Sequence, residues 1–375
     1  MRIAVAMSGG VDSSVAALLL KREGADLVGL SMHLWDHDRD GTGAASGRCC
    51  TLDDLSFARR AAETIGIPHY VLDLTERFEE AVVRPFVTSY LEGRTPIPCT
   101  ACNTEVKFKT LLARAEALGC NAVATGHYAR VETNAATGVR RLLKARDRGR
   151  DQSYFLYDLT SEQLSRVRFP LGELEKTEVR AIAREAGLPN WDKPDSQEIC
   201  FVPNGTKPAD FIRKEAANLG ISLPALTGAR PGKIFLEGGK RVGAHEGTMA
   251  YTVGQRRGIG VASASPLYVL ATYPEESRVV VGPAASLFSK KITLEAVSLR
   301  MAGGVRQPIP VLARIRSRHP EQAASLTLEG GGRGRLEFEE PVRAAAPGQS
   351  AVFYDPTRPD LVLGGGVIAR PVSPA

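Results

Sequence analysis

Met1-Arg2-Ile3-Ala4-Val5-Ala6-Met7-Ser8-Gly9-Gly10-Val11-Asp12-Ser13-Ser14 opens the chain. A short apolar run, a glycine pair and a second apolar run read as a strand, a tight turn and a helix. Glycines let the backbone turn sharply and approach a ligand with no side chain between. The N–H groups and dipole of the following helix favour an anion at that point. The loop is not a Walker P-loop, because no Gly-Lys-Ser/Thr ends it, and GxGxxG is absent as well. Asp12 inside such a loop suits either a helix cap or recruitment of Mg²⁺ beside phosphates.

Working outward, strand and helix patterns alternate over the first two hundred residues. Strands are expected over Arg2–Met7, Asp26–Trp35, His69–Leu74 and Asn121–Thr125, the last running into Gly126. Helices are expected over Ser13–Arg22, Thr51–Ile65, Glu76–Glu92 and Glu105–Leu118, with Asp53 and Asp54 favouring the dipole at the start of the second. Such βαβ units imply an α/β domain with a parallel sheet covered on both faces, ligands lying beyond the carboxyl ends of the strands. The run from Trp35 to Gly47 lacks periodicity and is expected to be a mobile loop. A Gly-rich stretch, roughly Gly205 to Thr272, comes next. Short Val/Ile/Leu runs then follow at Arg278–Gly282, Lys291–Leu299, Pro310–Arg316, Ala324–Leu328 and Leu361–Ala369, as in a small antiparallel β-barrel. The domain edges expected are 1–204, 205–280 and 281–375.

The chain has 375 residues, 43% hydrophobic and 24% charged. This composition excludes a disordered tail, a collagen-like fibre and a disulfide miniprotein. No run approaches the ~18 unbroken apolar residues of a membrane span, and no secretory leader pattern precedes the glycine turn, so the expected compartment is the cytoplasm. Net charge is +6 at pH 7. Arginine supplies most of the basic residues, which suits phosphate recognition and also follows from a GC-rich genome. Arg140, Arg141, Lys144, Arg146, Arg148 and Arg150 form one basic cluster, readable as a solvated hairpin or as a nucleic-acid contact.

Six cysteines, Cys49, Cys50, Cys99, Cys102, Cys120 and Cys200, are too sparse for a secreted disulfide framework. Cys120 reads as a small buried hydrophobe, and Cys49 and Cys50 as packing or loop residues. Cys99-Thr-Ala-Cys102 has CxxC spacing, which suits zinc or redox chemistry, but no second pair of zinc ligands is evident.

Ser8-Gly9-Gly10-Val11-Asp12-Ser13 resembles the pyrophosphate loop of the ATP pyrophosphatases, which split ATP into AMP and pyrophosphate. Further landmarks are Thr95-Pro96-Ile97-Pro98-Cys99-Thr100-Ala101-Cys102-Asn103, Arg150-Asp151-Gln152-Ser153-Tyr154-Phe155-Leu156 and Asp195-Ser196-Gln197-Glu198-Ile199-Cys200-Phe201. Thr252-Val253-Gly254-Gln255-Arg256-Arg257-Gly258 and Ala346-Pro347-Gly348-Gln349-Ser350-Ala351 continue the set. Together they resemble the bacterial tRNA-specific 2-thiouridylases over essentially the whole chain. The resemblance implies an ATP- and Mg²⁺-dependent sulfurtransferase acting on the wobble uridine of tRNA, monomeric and supplied by a persulfide donor protein.

By the same resemblance Cys102 is the nucleophile, Cys200 the persulfide carrier, and the two form a transient disulfide. Lys107 and Lys109 are candidates to assist Cys102. Ala6, Met7, Ser8, Gly9, Gly10, Val11, Asp12, Ser13, Met32 and Gly126 would bind ATP. Ile97, Pro98, Cys99, Arg150, Asp151, Gln152, Arg316 and Ser317 would contact tRNA. Family members commonly carry Asn where this chain has Ile97, some carry Asp where it has Cys99, and tyrosine is usual at Ser317. A side-chain amide, a carboxylate base and a stacking ring are therefore missing at those positions, while Arg316 and Arg318 remain for phosphates.

Sulfur replacement of a carbonyl oxygen needs an activated oxygen and a sulfur nucleophile, and a cysteine persulfide is an available carrier. Two rival readings carry different expectations. An enzyme that adenylates a small molecule for amination needs no thiol. A non-catalytic RNA-binding protein releases no pyrophosphate.

Overall fold

The computed structural model describes residues 1–36, 52–195, 199–203, 205–222, 227–301 and 307–370. Cys49, Cys50, Ser196, Gln197, Glu198 and most of the expected 35–47 loop lie outside them. The chain divides into two compact units. The first comprises Met1–Val82, Pro98–Asn204 and Asp360–Val362; the second comprises Val83–Ile97, Gly205–Pro359 and Leu363–Ala375.

The first unit is an α/β layer structure. Its sheet runs β3-β2-β1-β4-β7, from β1 (Arg2–Ala6), β2 (Asp26–His33), β3 (His69–Asp73), β4 (Ala122–Thr125) and β7 (Val167–Arg168), with every pairing parallel. Val-, Leu- and Ala-rich strands suit this arrangement because both faces are covered. Ile3, Val5, Val15, Ala58 and Ala61 are among the buried residues of the core beneath the helices. β1 has β2 on one side and β4 on the other, so the direction of winding reverses there. The crevice beyond the carboxyl end of such a strand is where open α/β sheets bind ligands. The chain leaves β1 there through Ser8–Gly10 into α1 (Val11–Arg22), and α2 (Leu52–Ile65) packs beside it. The basic cluster starts on a hairpin, β5 (Ala129–Thr133) with β6 (Arg140–Lys144).

Two helices differ from expectation. The Glu76–Glu92 helix is broken into Thr75–Phe78, a π-helical stretch Glu79–Val83 and Arg84–Leu91. Pro85 has no N–H to offer the ladder, which widens just before it. The Glu105–Leu118 helix begins earlier, as one helical run through Pro98–Ala101, a π-helical Cys102–Thr110 and Leu111–Ala117.

Residues 83–97 pack with the second unit. Phe86 meets Phe211 edge-on with ring centroids 6.3 Å apart, on the helix Pro208–Asn218, which the glycine-rich composition of that region hid. This unit holds a four-stranded sheet, β10-β11-β8-β9, built from β8 (Gly232–Leu236), β9 (Arg241–His245), β10 (Tyr268–Tyr273) and β11 (Arg278–Gly282). It also holds a closed six-stranded antiparallel barrel, β12-β15-β14-β13-β16-β17. The barrel strands are β12 (Phe288–Leu299), β13 (Ile309–Arg314), β14 (Gln322–Gly330), β15 (Arg333–Arg343), β16 (Ser350–Tyr354) and β17 (Val362–Ile368). Alternate residues of β15, among them Leu336 and Phe338, fill the barrel interior, and closure leaves no edge exposed.

Candidate functional site

Gly9 stands at φ +74°, and a Cβ there would lie 2.1 Å from the Asp54 carbonyl oxygen. Only glycine fits that turn. Gly10 is the N-cap of α1 and no side chain caps the helix. Its first-turn N–H groups therefore point out of the loop with the positive end of the dipole behind them. The loop is braced from within and from a distant segment. Ser13 Oγ accepts from Ser8 N at 3.1 Å and donates to Gly10 O at 3.0 Å. Asn190 Nδ2 donates to Gly9 O and to Ser14 Oγ, each at 3.0 Å. Lys193 Nζ donates to Gly9 O at 3.3 Å and pairs with the Asp54 carboxylate. Gly126, leaving β4, abuts the helix start so closely that a Cβ would sit 2.6 Å from Ser13 N.

Asp12 does not cap α1. Lys176 Nζ lies 2.7 and 2.8 Å from its two carboxylate oxygens, and Tyr128 OH donates to Oδ1 at 2.9 Å. The same ammonium is 2.8 Å from Asp195 Oδ1, and Arg150 Nη1 is 2.7 Å from Asp195 Oδ2. Burial, then the charge and hydrogen bond of Asp12, push the Tyr128 phenol far above its ordinary range, so it is a proton donor at any physiological pH. Burial raises the Asp195 carboxyl, but the Lys176 hydrogen bond and the surrounding cations outweigh it, and the net shift is downward.

The two thiols singled out by sequence line the same cavity as this loop. Cys102 is buried, Cys200 half-buried and Cys99 exposed. All three line one cavity of about 410 Å³ together with the phosphate loop. Phe201 fixes the Cys200 end of its segment, with ring centroids 6.1 Å from Trp35 and 5.6 Å from Phe78. Trp35, expected to begin a mobile loop, is instead a buried member of that aromatic cluster. On the Cys102 side, Asn103 Nδ2 donates to Phe155 O at 3.1 Å. Cys102 does not precede its helix, as expected from sequence, but lies one turn inside it. The dipole's effect concentrates in the first turn, which holds Cys99. Lys107 lines the cavity, whereas Lys109 is exposed and pairs with Glu105 at 2.8 Å.

Of the other expected site residues, Ala6, Met7, Ser8, Gly10, Val11, Asp12, Ser13, Met32, Gly126, Pro98, Arg150 and Gln152 border the same cavity. Gly9 turns the loop from behind. Asp151 and Gln152 brace the wall: Asp151 Oδ1 accepts from Ala145 N at 3.1 Å, and Gln152 Oε1 from Tyr128 N at 2.9 Å. Ile97, Arg316 and Ser317 belong to the second unit. There Ser317 is exposed, while Arg316 Nη2 donates to Val253 O at 3.0 Å and Ala344 O at 2.7 Å. Half of the basic cluster is paired within the chain: Arg146 pairs with Glu175 and Glu178, Arg148 with Asp360 and Arg150 with Asp195. Lys176, Asn190, Lys193, Asp54 and Tyr128 were not legible as site residues, because no local motif marks them.

His127 also borders the cavity, half-buried, with Nδ1 2.7 Å from Thr125 Oγ1. Burial first, then Lys107, holds its pKa well below the usual value, so the ring is neutral near pH 7. Among the described residues no group of three or more His, Cys, Asp or Glu is placed to hold a metal ion. The donors suit a nucleotide triphosphate carrying its own Mg²⁺, since Mg²⁺ commonly binds through one or two carboxylates plus phosphate oxygens and water. Asp12, Asp54 and Asp195 are the carboxylates that line the cavity.

Comparison with known proteins places the chain. The tRNA-specific 2-thiouridylase of Solibacter usitatus is 49% identical over 98% of this chain and 98% of its own length. The chain belongs to the tRNA-specific 2-thiouridylase family. The 2-thiouridylases of Koribacter versatilis and Methylobacterium radiotolerans are 46% and 47% identical over 98% of this chain, covering 98% and 94% of their own lengths. Three family descriptions also match: a tRNA methyl transferase HUP domain at residues 1–204, a tRNA methyl transferase PRC-barrel domain at 223–283 and an aminomethyltransferase beta-barrel domain at 289–368. In this 2-thiouridylase family member the HUP match covers the glycine loop and both candidate thiols.

Proposed function

We propose that this chain is an ATP-dependent sulfurtransferase that 2-thiolates the wobble uridine of tRNA. The observation that carries the reading is that Cys102, Cys200 and the glycine loop line one cavity. A buried base edge must leave its stack to be reached, so the anticodon nucleotide enters that cavity flipped out. The loop N–H groups and Lys193 hold the phosphates of ATP while the C2 oxygen of uracil attacks the α-phosphorus and pyrophosphate leaves. Mg²⁺ supplies charge neutralisation for the triphosphate.

A persulfide donor protein loads Cys200. The terminal sulfur of the Cys200 persulfide forms a bond to C2. The thiolate of Cys102 attacks the Cys200 sulfur, breaking the persulfide S–S bond and leaving its electron pair on the base sulfur. AMP departs, C2 becomes a thiocarbonyl, and the two cysteines end as a disulfide that an external thiol reduces. The other expected tRNA contacts, Ile97 to Cys99 and Arg150 to Gln152, sit on this reading around the base, with the barrel surface at Ser317 on the RNA backbone. The enzyme works as a monomer in the cytoplasm.

The test is incubation with tRNA, ATP, Mg²⁺, a persulfide donor that loads Cys200 and a thiol reductant, followed by nucleoside mass analysis. The expected result is 2-thiouridine with pyrophosphate release that depends on tRNA, lost in Cys102→Ser and Cys200→Ser. Unchanged turnover in both variants, or tRNA binding without pyrophosphate release, would overturn the proposal.

A further inference from the structure

Lys176 is the first residue of the helix Lys176–Glu185, and its side chain is only 10% exposed. Its ammonium touches two carboxylates from different parts of the site. One is Asp12 of the phosphate loop, at 2.7 and 2.8 Å; the other is Asp195, at 2.8 Å, which lines the same cavity as Cys200. The rest of the arrangement holds the ammonium in place. Asp147 accepts from Lys176 N at 3.0 Å through Oδ2 and from Arg150 N at 3.2 Å through Oδ1. Arg150 and Arg180 close on Asp195 from its other sides, at 2.7 and 3.4 Å. Tyr128 gives Asp12 a further donor and lies beneath the ammonium, 5.9 Å from Nζ to ring centroid.

A lone buried carboxylate beside a triphosphate site would repel its ligand, and a lone buried ammonium would be costly. Sharing one cation solves both, and it also ties the two halves of the site together. Anything that draws Asp12 away, such as the counter-ion of a bound nucleotide, changes what Lys176 offers Asp195.

We propose that Lys176 is a positioning residue that couples occupancy of the phosphate loop to the placement of Cys200. The inference rests on the proposed function, in which ATP fills the loop and Cys200 delivers sulfur. Asp195 is the receiving end, and Arg150 and Arg180 keep it from following Lys176 freely.

The test compares full-length wild type with Lys176→Met, Lys176→Arg and Asp195→Asn. Iodoacetamide labelling of Cys200 is followed on its peptide by mass spectrometry, with and without ATP and Mg²⁺. KM for ATP and kcat for tRNA thiolation are measured alongside. In wild type the labelling rate changes when ATP is added. Lys176→Met and Asp195→Asn lose that response, and kcat falls about a hundredfold, the scale of a small misplacement of reacting groups. Asp195→Asn is assayed at saturating ATP, so that a lost response is separated from weakened nucleotide binding. Lys176→Arg recovers part of the response, since a guanidinium also bridges two carboxylates.

An ATP response of Cys200 that persists in folded Lys176→Met or in Asp195→Asn would overturn the coupling. So would wild-type labelling indifferent to ATP in an enzyme that thiolates tRNA. If Lys176→Met fails to fold, Asp195→Asn decides. A wild type that neither binds ATP nor thiolates tRNA would remove the functional reading itself, a result distinct from either.

Discussion

At the residue scale, His127 makes acid stability a direct readout of the site. Its folded pKa lies well below the usual value, chiefly through burial and then through Lys107. His69, His245 and His319 are shifted the same way, each first by burial. A depressed histidine pKa means that the unfolded chain takes up the proton first. Stability is therefore full above about pH 6.5, the ordinary histidine value, and falls as pH drops below it. Denaturant melts from pH 7.5 to 5 should show this decline, and His127→Gln should flatten part of it; a variant with the wild-type slope would count against a neutral ring. Gly9→Ala tests the loop in the same spirit. It must place a Cβ at positive φ within 2.1 Å of a carbonyl oxygen, so ATP binding should fail and stability should fall by roughly 1–3 kcal/mol. Calorimetry of ATP binding and a thermal melt read both effects.

At the element scale, the glycine loop was readable because its chemistry is local: strand, two glycines and helix follow one another within fourteen residues. Cys102 was assigned to the site but to the wrong place on its helix. Its helix starts at Pro98, since proline at a first helical position gives up an N–H that would be unpaired anyway. The π-helical turns at Glu79–Val83 and Cys102–Thr110 leave no mark on a 3.6-residue pattern. Lys176, Asn190 and Lys193 reach the loop across more than 160 residues of sequence, and their partners became visible only in three dimensions. The basic run Arg140–Arg150 reads as a nucleic-acid contact, and three of its six cations, Arg146, Arg148 and Arg150, pair with Glu175, Glu178, Asp360 and Asp195. Exchanging Arg148 for Gln should accordingly change stability at low salt and leave the salt slope of tRNA binding intact. A slope reduced by about one would instead assign that arginine to a phosphate.

At the scale of the whole molecule, alternation of strand and helix and then of short strands was enough to foresee a parallel α/β unit and a C-terminal barrel. It was not enough to foresee that residues 83–97 pack with the second unit and 360–362 with the first, because those packings are long-range. Arg316 illustrates the same limit. Its Nη2 donates to Val253 O and Ala344 O inside the second unit, partners distant in sequence that no local pattern marks. Arg316→Ala should therefore lower stability by on the order of 2 kcal/mol in a denaturant melt, the scale of lost hydrogen bonds from a charged group. Arg318→Ala, at an exposed position, should leave stability unchanged.

The central claim is that one cavity joins an activated base to two converging sulfurs. Its most direct test is a single turnover by enzyme carrying a persulfide on Cys200, with ATP and tRNA but no added thiol, analysed by non-reducing peptide mapping. The account predicts that 2-thiouridine, pyrophosphate and a Cys102–Cys200 disulfide accumulate in equal amounts. Full thiolation with both cysteines still reduced, or full thiolation by Cys102→Ser, would contradict it.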